Sequence, residues 1–348
     1  MAKATGAPSR TGEPLVDNLV DTGRADLGAL EDAAIGRAAV AALLPTLRPY
    51  VRTTPVVRID RAELDLPPGP LVLKLEHLQH SGSFKVRGAF ANLLTRPVPA
   101  AGIVAASGGN HGSAAAYAAA RLGIPATIFV PEVSSPAKRA RIESYGATLV
   151  VGGPDYDAAR AAAAEFQAAT GAMDVPAFDA APTVLGAGSA ALELQDQAPD
   201  VDTVLASVGG GGLLAGLCAG YSPEGGGPHV RVIGAEPEGA PTLATALAAG
   251  RPADAPVGSI AIDSLAPRRM GTHTFAVIAR LGSGVTLVDD DAIASTQQLL
   301  WDRLRLVLEP GGCTGLAALV AGRYEPDPGE TVAVVLSGAN TTAVDFSR

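Results

Sequence analysis

The chain has 348 residues, 47% of them hydrophobic, and a formal net charge of -9. That balance excludes a nonspecific nucleic-acid binder, which needs a basic face to displace phosphate counterions, and no apolar run reaches the roughly 18 residues that span a bilayer. Two cysteines, Cys218 and Cys313, neither of them in a CxxC pair, exclude a disulfide framework and a zinc knuckle and read as packed thiols.

Residues 1–28 are polar and punctuated by Gly and Pro, which predicts a frayed extension. They hold no continuous apolar stretch of signal-peptide type, so a cytoplasmic protein is expected. The patterned region begins with LVLKLE (71–76), a strand, followed by a glycine turn and a helix over 85–94. A strand at 103–107 leads to a helix over 111–123 that Gly123 ends. A strand at 126–131 precedes a helix over 136–146, with Pro136 at its start and Gly146 at its end. A strand at 147–153 and an alanine-rich helix over 155–171 follow.

The alternation breaks at DVPAFDAAP (174–182) and resumes with a helix over 183–197. Next come a strand at 201–208, a helix over 213–220, a strand at 230–236 and a helix over 241–250. A loop-rich stretch covers 251–272. A strand at 285–290, helices over 291–308 and 314–324, and a strand at 331–337 complete the pattern. This is the signature of an α/β protein: two domains with parallel twisted sheets flanked by helices. The break predicts a small domain, 101–181, inserted into a larger one built from 29–100 and 182–348. Ligands in such folds bind in a crevice at the carboxyl ends of strands. Four polar or glycine-rich stretches stand at such ends: SGSFKVRGAF (81–90), SGGNHG (107–112), SVGGGGLLAG (207–216) and SGAN (337–340).

In the third, four glycines follow a strand and open a helix. Glycine admits positive φ and close backbone approach, and exposed N–H groups at a helix N-terminus attract an anion. Hydrogen bonds to a charged acceptor are worth roughly 1.5–3 kcal/mol each, so three or four hold a phosphate firmly. No Lys-Ser/Thr follows, so it is not a Walker A loop, and the spacing is not the dinucleotide GxGxxG frame, with Glu236 the nearest acidic candidate. A phosphomonoester fits better than a diphosphate; a tight turn with close helix–strand packing is the alternative. Lys85 alone could be a snorkelling surface lysine. Beside a phosphate cradle, it suggests a Schiff base to a phosphorylated aldehyde, for which pyridoxal 5'-phosphate is the usual partner of lysine.

SFKVRGA, SGGNHG, GGGGLLAG and SGAN, in this order and at these separations, resemble the fold-type II pyridoxal-phosphate enzymes, and within them the serine/threonine dehydratases (threonine ammonia-lyases). The resemblance runs from about Leu43 onward. It implies a tryptophan synthase beta-like fold, pyridoxal 5'-phosphate joined to Lys85, Phe84 beside its ring, Asn110 on the ring hydroxyl, the phosphate on Gly209, Gly210, Gly211 and Gly212, and Ser337 facing the pyridine nitrogen. Ser107, Asn110 and His111 are then the residues for the substrate carboxylate; read without the resemblance, Asn110 and His111 are a turn and a helix cap. Ala339 stands where the family often has glycine. A monovalent or divalent cation is implied at Glu236 and the backbone of Ala240, with Thr242 in place of the family's second acid; a plain strand-end carboxylate is the alternative for Glu236.

The implied reaction is β-elimination from an L-3-hydroxy amino acid, L-threonine or L-serine, to a 2-oxo acid and ammonia. A hydroxyl such as Ser337 does not force the ring nitrogen to stay protonated, which favours prompt loss of the β-hydroxyl. Racemases of the family carry a second serine beside the first of SxGNH; Gly108 is found here, which argues for a lyase. Asp263, Arg268 and Arg269 either meet a polar substrate, of hydroxyaspartate type for example, or are solvated loop charges. A phenylserine-type dehydratase and threonine synthase or racemase-like chemistry are the competing enzyme readings. A non-catalytic cofactor-binding protein and a nicotinamide-binding oxidoreductase are the competing classes. The resemblance also implies a homo-oligomer, a dimer. The short stretch after SGAN leads us to expect no regulatory domain there.

Overall fold

The computed structural model describes residues 35–223, 229–265 and 267–343. The expected extension, 1–28, lies outside the described residues.

The first stretch holds α1 (Arg37–Leu47), β1 (Val56–Asp60), β2 (Pro70–Lys74) and α2 (Lys85–Thr95). Then come β3 (Ile103–Ala106), α3 (Asn110–Arg121), β4 (Ala126–Val130), α4 (Pro136–Ser144), β5 (Thr148–Val151), α5 (Tyr156–Thr170) and β6 (Met173–Asp174). The rest is α6 (Ala181–Gln197), β7 (Thr203–Ser207), α7 (Gly212–Gly220), β8 (Arg231–Pro237), α8 (Thr242–Ala249), α9 (Ile262–Leu265), α10 (Thr272–Leu281), β9 (Val285–Val288), α11 (Asp290–Leu304), α12 (Pro310–Val320) and β10 (Val332–Val335).

These strands form two sheets, a six-stranded one ordered β1-β2-β10-β7-β8-β9 and a four-stranded one ordered β5-β4-β3-β6. The second sheet is drawn entirely from the chain between β2 and α6. Every pairing is parallel except β1 with β2. The central strands β10 and β7 are buried at every position, as helices on both faces require. Local chemistry sets the helix ends as anticipated. Asp155 and Asp289 accept from the backbone N–H groups of Ala158 and Ala292, and Gly171 closes α5 with a φ of 72°.

Six elements depart from the sequence expectation: α1, β1, β6, α9 and α10 stand where none was expected, and α12 starts early. The antiparallel edge strand β1 is half-buried or exposed along its length and shows no clean apolar period, whereas α10 buries Thr274, Val277 and Ile278 at helical spacing, a period passed over beside the loop-rich stretch. Helix α12 begins at Pro310 rather than 314. Its glycine pair reads as a turn, but Gly312 packs directly on the carbonyl of Gly338 and Gly311 on Ser264, so tertiary contact makes the glycines helical.

One polar cluster ties α2 to the larger sheet. Arg87 donates to both oxygens of Glu76 at 2.8 Å and to Glu193 at 2.7 and 2.8 Å. Lys74 donates to Glu193 at 2.9 Å, to Gln197 and to the Thr54 carbonyl. All four charges are buried, two of each sign. Burial pulls the Lys74 amine below the usual lysine range, against the attraction of Glu193. Breaking a buried pair by removing one partner typically costs about 3–5 kcal/mol, because the other charge stays behind without compensation. Glu193→Ala leaves Lys74 without a carboxylate partner and Arg87 with Glu76 alone, and is expected to lower the unfolding free energy, measured by urea titration, by that much. Removing the exposed Arg58–Asp200 pair should leave it nearly unchanged.

Candidate active site

The turn before Lys85 is bent sharply, with Ser81 at φ 58° and Gly82 at φ 78°. A side chain on Gly82 would collide with Asn340 there. The turn is stitched to the end of β10: Ser83 pairs with Gly338, and the Phe84 N–H donates to the Ser337 carbonyl at 3.1 Å. Two motifs some 250 residues apart are thus in direct contact. Lys85 opens α2, with its amine 5.2 Å from the centre of the Phe84 ring and donating to the Ala177 carbonyl at 2.8 Å. Burial pulls this amine down to about 8, while nearby Glu309 partly opposes the shift.

Ala177 and Phe178 lie in the break between the two halves of the pattern, and Phe178 connects the lysine to the glycine turn. A Cβ on Gly210 would run into the Phe178 ring, and one on Gly212 would come 3.1 Å from its Cα. Gly211 has φ 91°, with Met270 and Thr274 against it, and Gly209 faces Leu265. A side chain at any of the four would meet packed atoms. Thr274 donates to the Gly210 carbonyl at 2.8 Å, which holds that peptide in place. Asp179, next in the chain, accepts from the N–H groups of Thr272 and His273 and caps α10. The result is a short backbone strap, 177–179, spanning the lysine amine, the glycine turn and α10.

Asn110 and His111 begin α3 and are both buried. The Asn110 amide donates to Glu309 at 2.5 Å and accepts from Asn340 at 2.6 Å. His111 Nε2 lies 2.7 Å from the Val175 carbonyl, which can only accept, so that nitrogen carries the proton. Burial, and secondarily the Lys85 cation, push the ring's pKa down to about 3. A neutral ring with its donor on Val175 has no N–H left for a substrate carboxylate, which corrects that expectation for His111. Ser107 accepts from the Gly109 N–H at 3.2 Å and stays at the mouth of the same turn. Ser337 is buried, with its backbone paired to Gly312 and Phe84.

The expected cation residues are engaged otherwise. Both oxygens of Glu236 accept backbone N–H groups at the start of α8, Leu243 at 2.6 Å and Ala244 at 3.0 Å. Burial raises that carboxyl to about 7. Thr242 donates to the Pro267 carbonyl, and the Ala240 carbonyl accepts from the Thr242 N–H at 3.0 Å. One carboxylate with both oxygens committed does not fit a divalent ion. Among the described residues, no group of three or more His, Cys, Asp or Glu side chains could hold a metal.

Sequence reasoning missed three parts of the site. Glu309 lies against Asn110, and any side chain on Gly338 would strike it; placing the helix start at 314 left it in a loop. Phe178 was read as part of a break. Helix α9 converges on the site: the Asp263 carbonyl would lie 3.2 Å from a Cβ on Gly109, Leu265 Cα 3.1 Å from one on Gly209, and Ser264 packs on Gly311. The side chains of Asp263 and Arg269 instead form ion pairs with Lys138 at 2.9 Å and Asp254 at 2.7 Å. Arg268 is exposed. These charges therefore belong to the loop's surface rather than to a substrate pocket.

The donor set suits a phosphorylated aldehyde. A buried amine with a neutral form near physiological pH is linked through Ala177 and Phe178 to a four-glycine turn at a helix N-terminus. Ser83, two residues from Lys85, has a buried hydroxyl without a hydrogen-bond partner. The family model for pyridoxal-phosphate dependent enzymes matches residues 47–338. The chain is 38% identical to an L-threonine ammonia-lyase of Geobacter sulfurreducens, over 78% of this chain and 67% of that one. It is also 38% identical to a phenylserine dehydratase of Ralstonia pickettii, over 89% of this chain and 94% of the other. Among solved structures, a threonine deaminase from T.th. has a TM-score of 0.81 at 36% identity, covering 90% of this chain and all of that one. A maize serine racemase has a TM-score of 0.82 at 29% identity, covering 88% and 94%.

With its pKa near 8, about a quarter of the Lys85 amines are neutral at pH ~7.5, against roughly one in a thousand for a free lysine. The rate at which cofactor-stripped protein captures added pyridoxal phosphate should therefore rise with pH through a midpoint of about 8. A midpoint above roughly 10, the range of a free lysine, would contradict the buried amine.

Proposed function

This chain belongs to the pyridoxal-phosphate dependent enzymes, and we propose that it dehydrates and deaminates an L-3-hydroxy amino acid, L-threonine or L-serine, to a 2-oxo acid and ammonia. The observation that carries the proposal is the buried Lys85 amine, 2.8 Å from the Ala177 carbonyl and linked through Phe178 to the four-glycine turn.

When bound, the cofactor supplies the electron-withdrawing system that makes the substrate's Cα–H acidic. The N–H groups of Gly209, Gly210, Gly211 and Gly212 and the start of α7 hold its phosphate. Phe84 would pack beside its ring, Asn110 would donate to its hydroxyl and Ser337 would face its ring nitrogen. A hydroxyl at that position leaves the nitrogen without a counter-charge, so negative charge on the substrate is short-lived and loss of the β-hydroxyl competes well.

Ser107 and the first N–H groups of α3 bind the substrate carboxylate. Lys85, in its neutral form, takes the Cα proton. The Lys85 ammonium so formed can return that proton to the β-hydroxyl, which leaves as water. The released enamine picks up a proton at Cβ, and hydrolysis of its imine yields the 2-oxo acid and ammonia. Helix α9 and the 177–179 strap keep water from the reacting atoms.

A second reading, racemase-like activity, is favoured by one observation. A side chain on Gly108 would collide with the Ser134 hydroxyl, so a hydroxyl stands at the place that glycine leaves open. The argument from Gly108 against racemisation is weaker for it. We further propose a cytoplasmic homo-oligomer, a dimer, with a small domain over 101–181 hinged on the larger one.

A panel of L-threonine, L-serine, phenylserine and 3-hydroxyaspartate, assayed for 2-oxo acid release, tests the proposal. Turnover of at least one, and its loss with the visible absorbance in Lys85→Ala, is the expected result; ammonia release from none rejects it. Chiral analysis of residual serine, with Ser134→Ala as control, decides the second reading.

A further inference from the structure

We infer that Glu309 is a positioning residue of this site, whose carboxylate holds the Asn110 amide. The inference rests on the reading of Lys85 as the cofactor lysine and assigns a role to a residue that reading leaves idle.

The argument is one of hydrogen-bond direction. Arg141 has only donors, and it donates to Asn340 Oδ1. Asn340 Nδ2 then donates to the Ser81 carbonyl at 2.9 Å and to Asn110 Oδ1 at 2.6 Å. Asn110 must therefore turn Nδ2 the other way, where Glu309 Oε1 accepts at 2.5 Å. No amide in this run can flip without setting donor against donor or oxygen against oxygen. Asn110 Nδ2 spends one hydrogen on Glu309 and keeps one for the pocket. Removing the acceptor leaves the amide held only by Asn340 at its oxygen, and the second N–H is aimed less tightly.

The second part is electrostatic. Glu309 is buried, with 6% of its surface exposed. The charged groups that face it are Lys85 on α2, Lys138 and Arg141 on α4, and Asp263 on α9; the Cys313 thiol lies nearby on α12. Burial raises the carboxyl to about 7, with the Asn110 hydrogen bond and the cations pulling back. Above that pH it is an anion, and it favours the charged form of the lysine nitrogen.

Two variants separate the two parts. Glu309→Gln keeps an oxygen that can accept from Asn110 and removes the charge. Glu309→Ala removes both. In cofactor-stripped protein, the midpoint for capture of pyridoxal phosphate should fall in both variants by about one pH unit, since the amine loses its anion. In loaded enzyme, KM for the turned-over hydroxy amino acid should rise about tenfold in Glu309→Ala and less than about twofold in Glu309→Gln, the difference being one hydrogen bond to a buried amide. Thermal unfolding of Glu309→Gln is the folding control. A well-folded Glu309→Gln with the wild-type midpoint overturns the electrostatic role. Equal KM in the two variants overturns the positioning role. A wild type without a Lys85-dependent visible band fails the cofactor reading itself, a result distinct from either.

Discussion

The site depends on keeping one lysine amine out of water without losing its chemistry. An amine in bulk solvent is protonated and inert as a nucleophile near neutrality; one buried in apolar surroundings is neutral but unfavourable to keep there. Here the conflict is resolved by giving the buried amine partners. The Ala177 carbonyl takes one hydrogen bond, Glu309 supplies a nearby anion, and the amine is left with a pKa of about 8. Everything else near Lys85 can be understood as holding that compromise in place.

Two kinds of fastening do so. The first is ionic: Arg87, two residues along α2, is clamped between Glu76 and Glu193, and Lys74 completes the cluster. These bonds fix how α2 lies on β2 and α6, and hence where the lysine projects. The second is backbone contact made possible by missing side chains. Gly82, Gly210, Gly311, Gly312 and Gly338 each sit where a Cβ would strike a neighbouring residue. Their neighbours are Asn340, Phe178, Ser264, the Gly338 carbonyl and Glu309, most of them from distant parts of the chain. Glycine allows these turns to pack within one backbone thickness, and the elements around the lysine close together because of it.

Much of this was legible beforehand. The alternating apolar strands and capped helices announced parallel sheets, and the four motifs pointed to one crevice, where Ser83 pairs with Gly338 and Asn110 with Asn340. The misses share a cause. Edge strand β1 lacks a clean period, since only tertiary packing decides which of its faces is covered. Helix α12 starts four residues early because its glycines gain from contact what they lose in intrinsic preference. His111 looked like a donor for substrate, yet the Val175 carbonyl, from a segment with no motif of its own, claims its proton. Glu236, read equally as a cation ligand or a plain strand-end carboxylate, accepts backbone N–H groups at the start of α8.

Residue type and order settled the chemistry available: a primary amine, four consecutive side-chain-free peptides, hydroxyls and amides at strand ends. Those are local properties, set by composition and spacing over a few residues. Which groups meet, which proton each holds, and which carboxylate stands opposite the lysine were decided only by the folded arrangement. Burial and hydrogen-bond direction depend on neighbours brought from far along the chain, and no short window of sequence contains them.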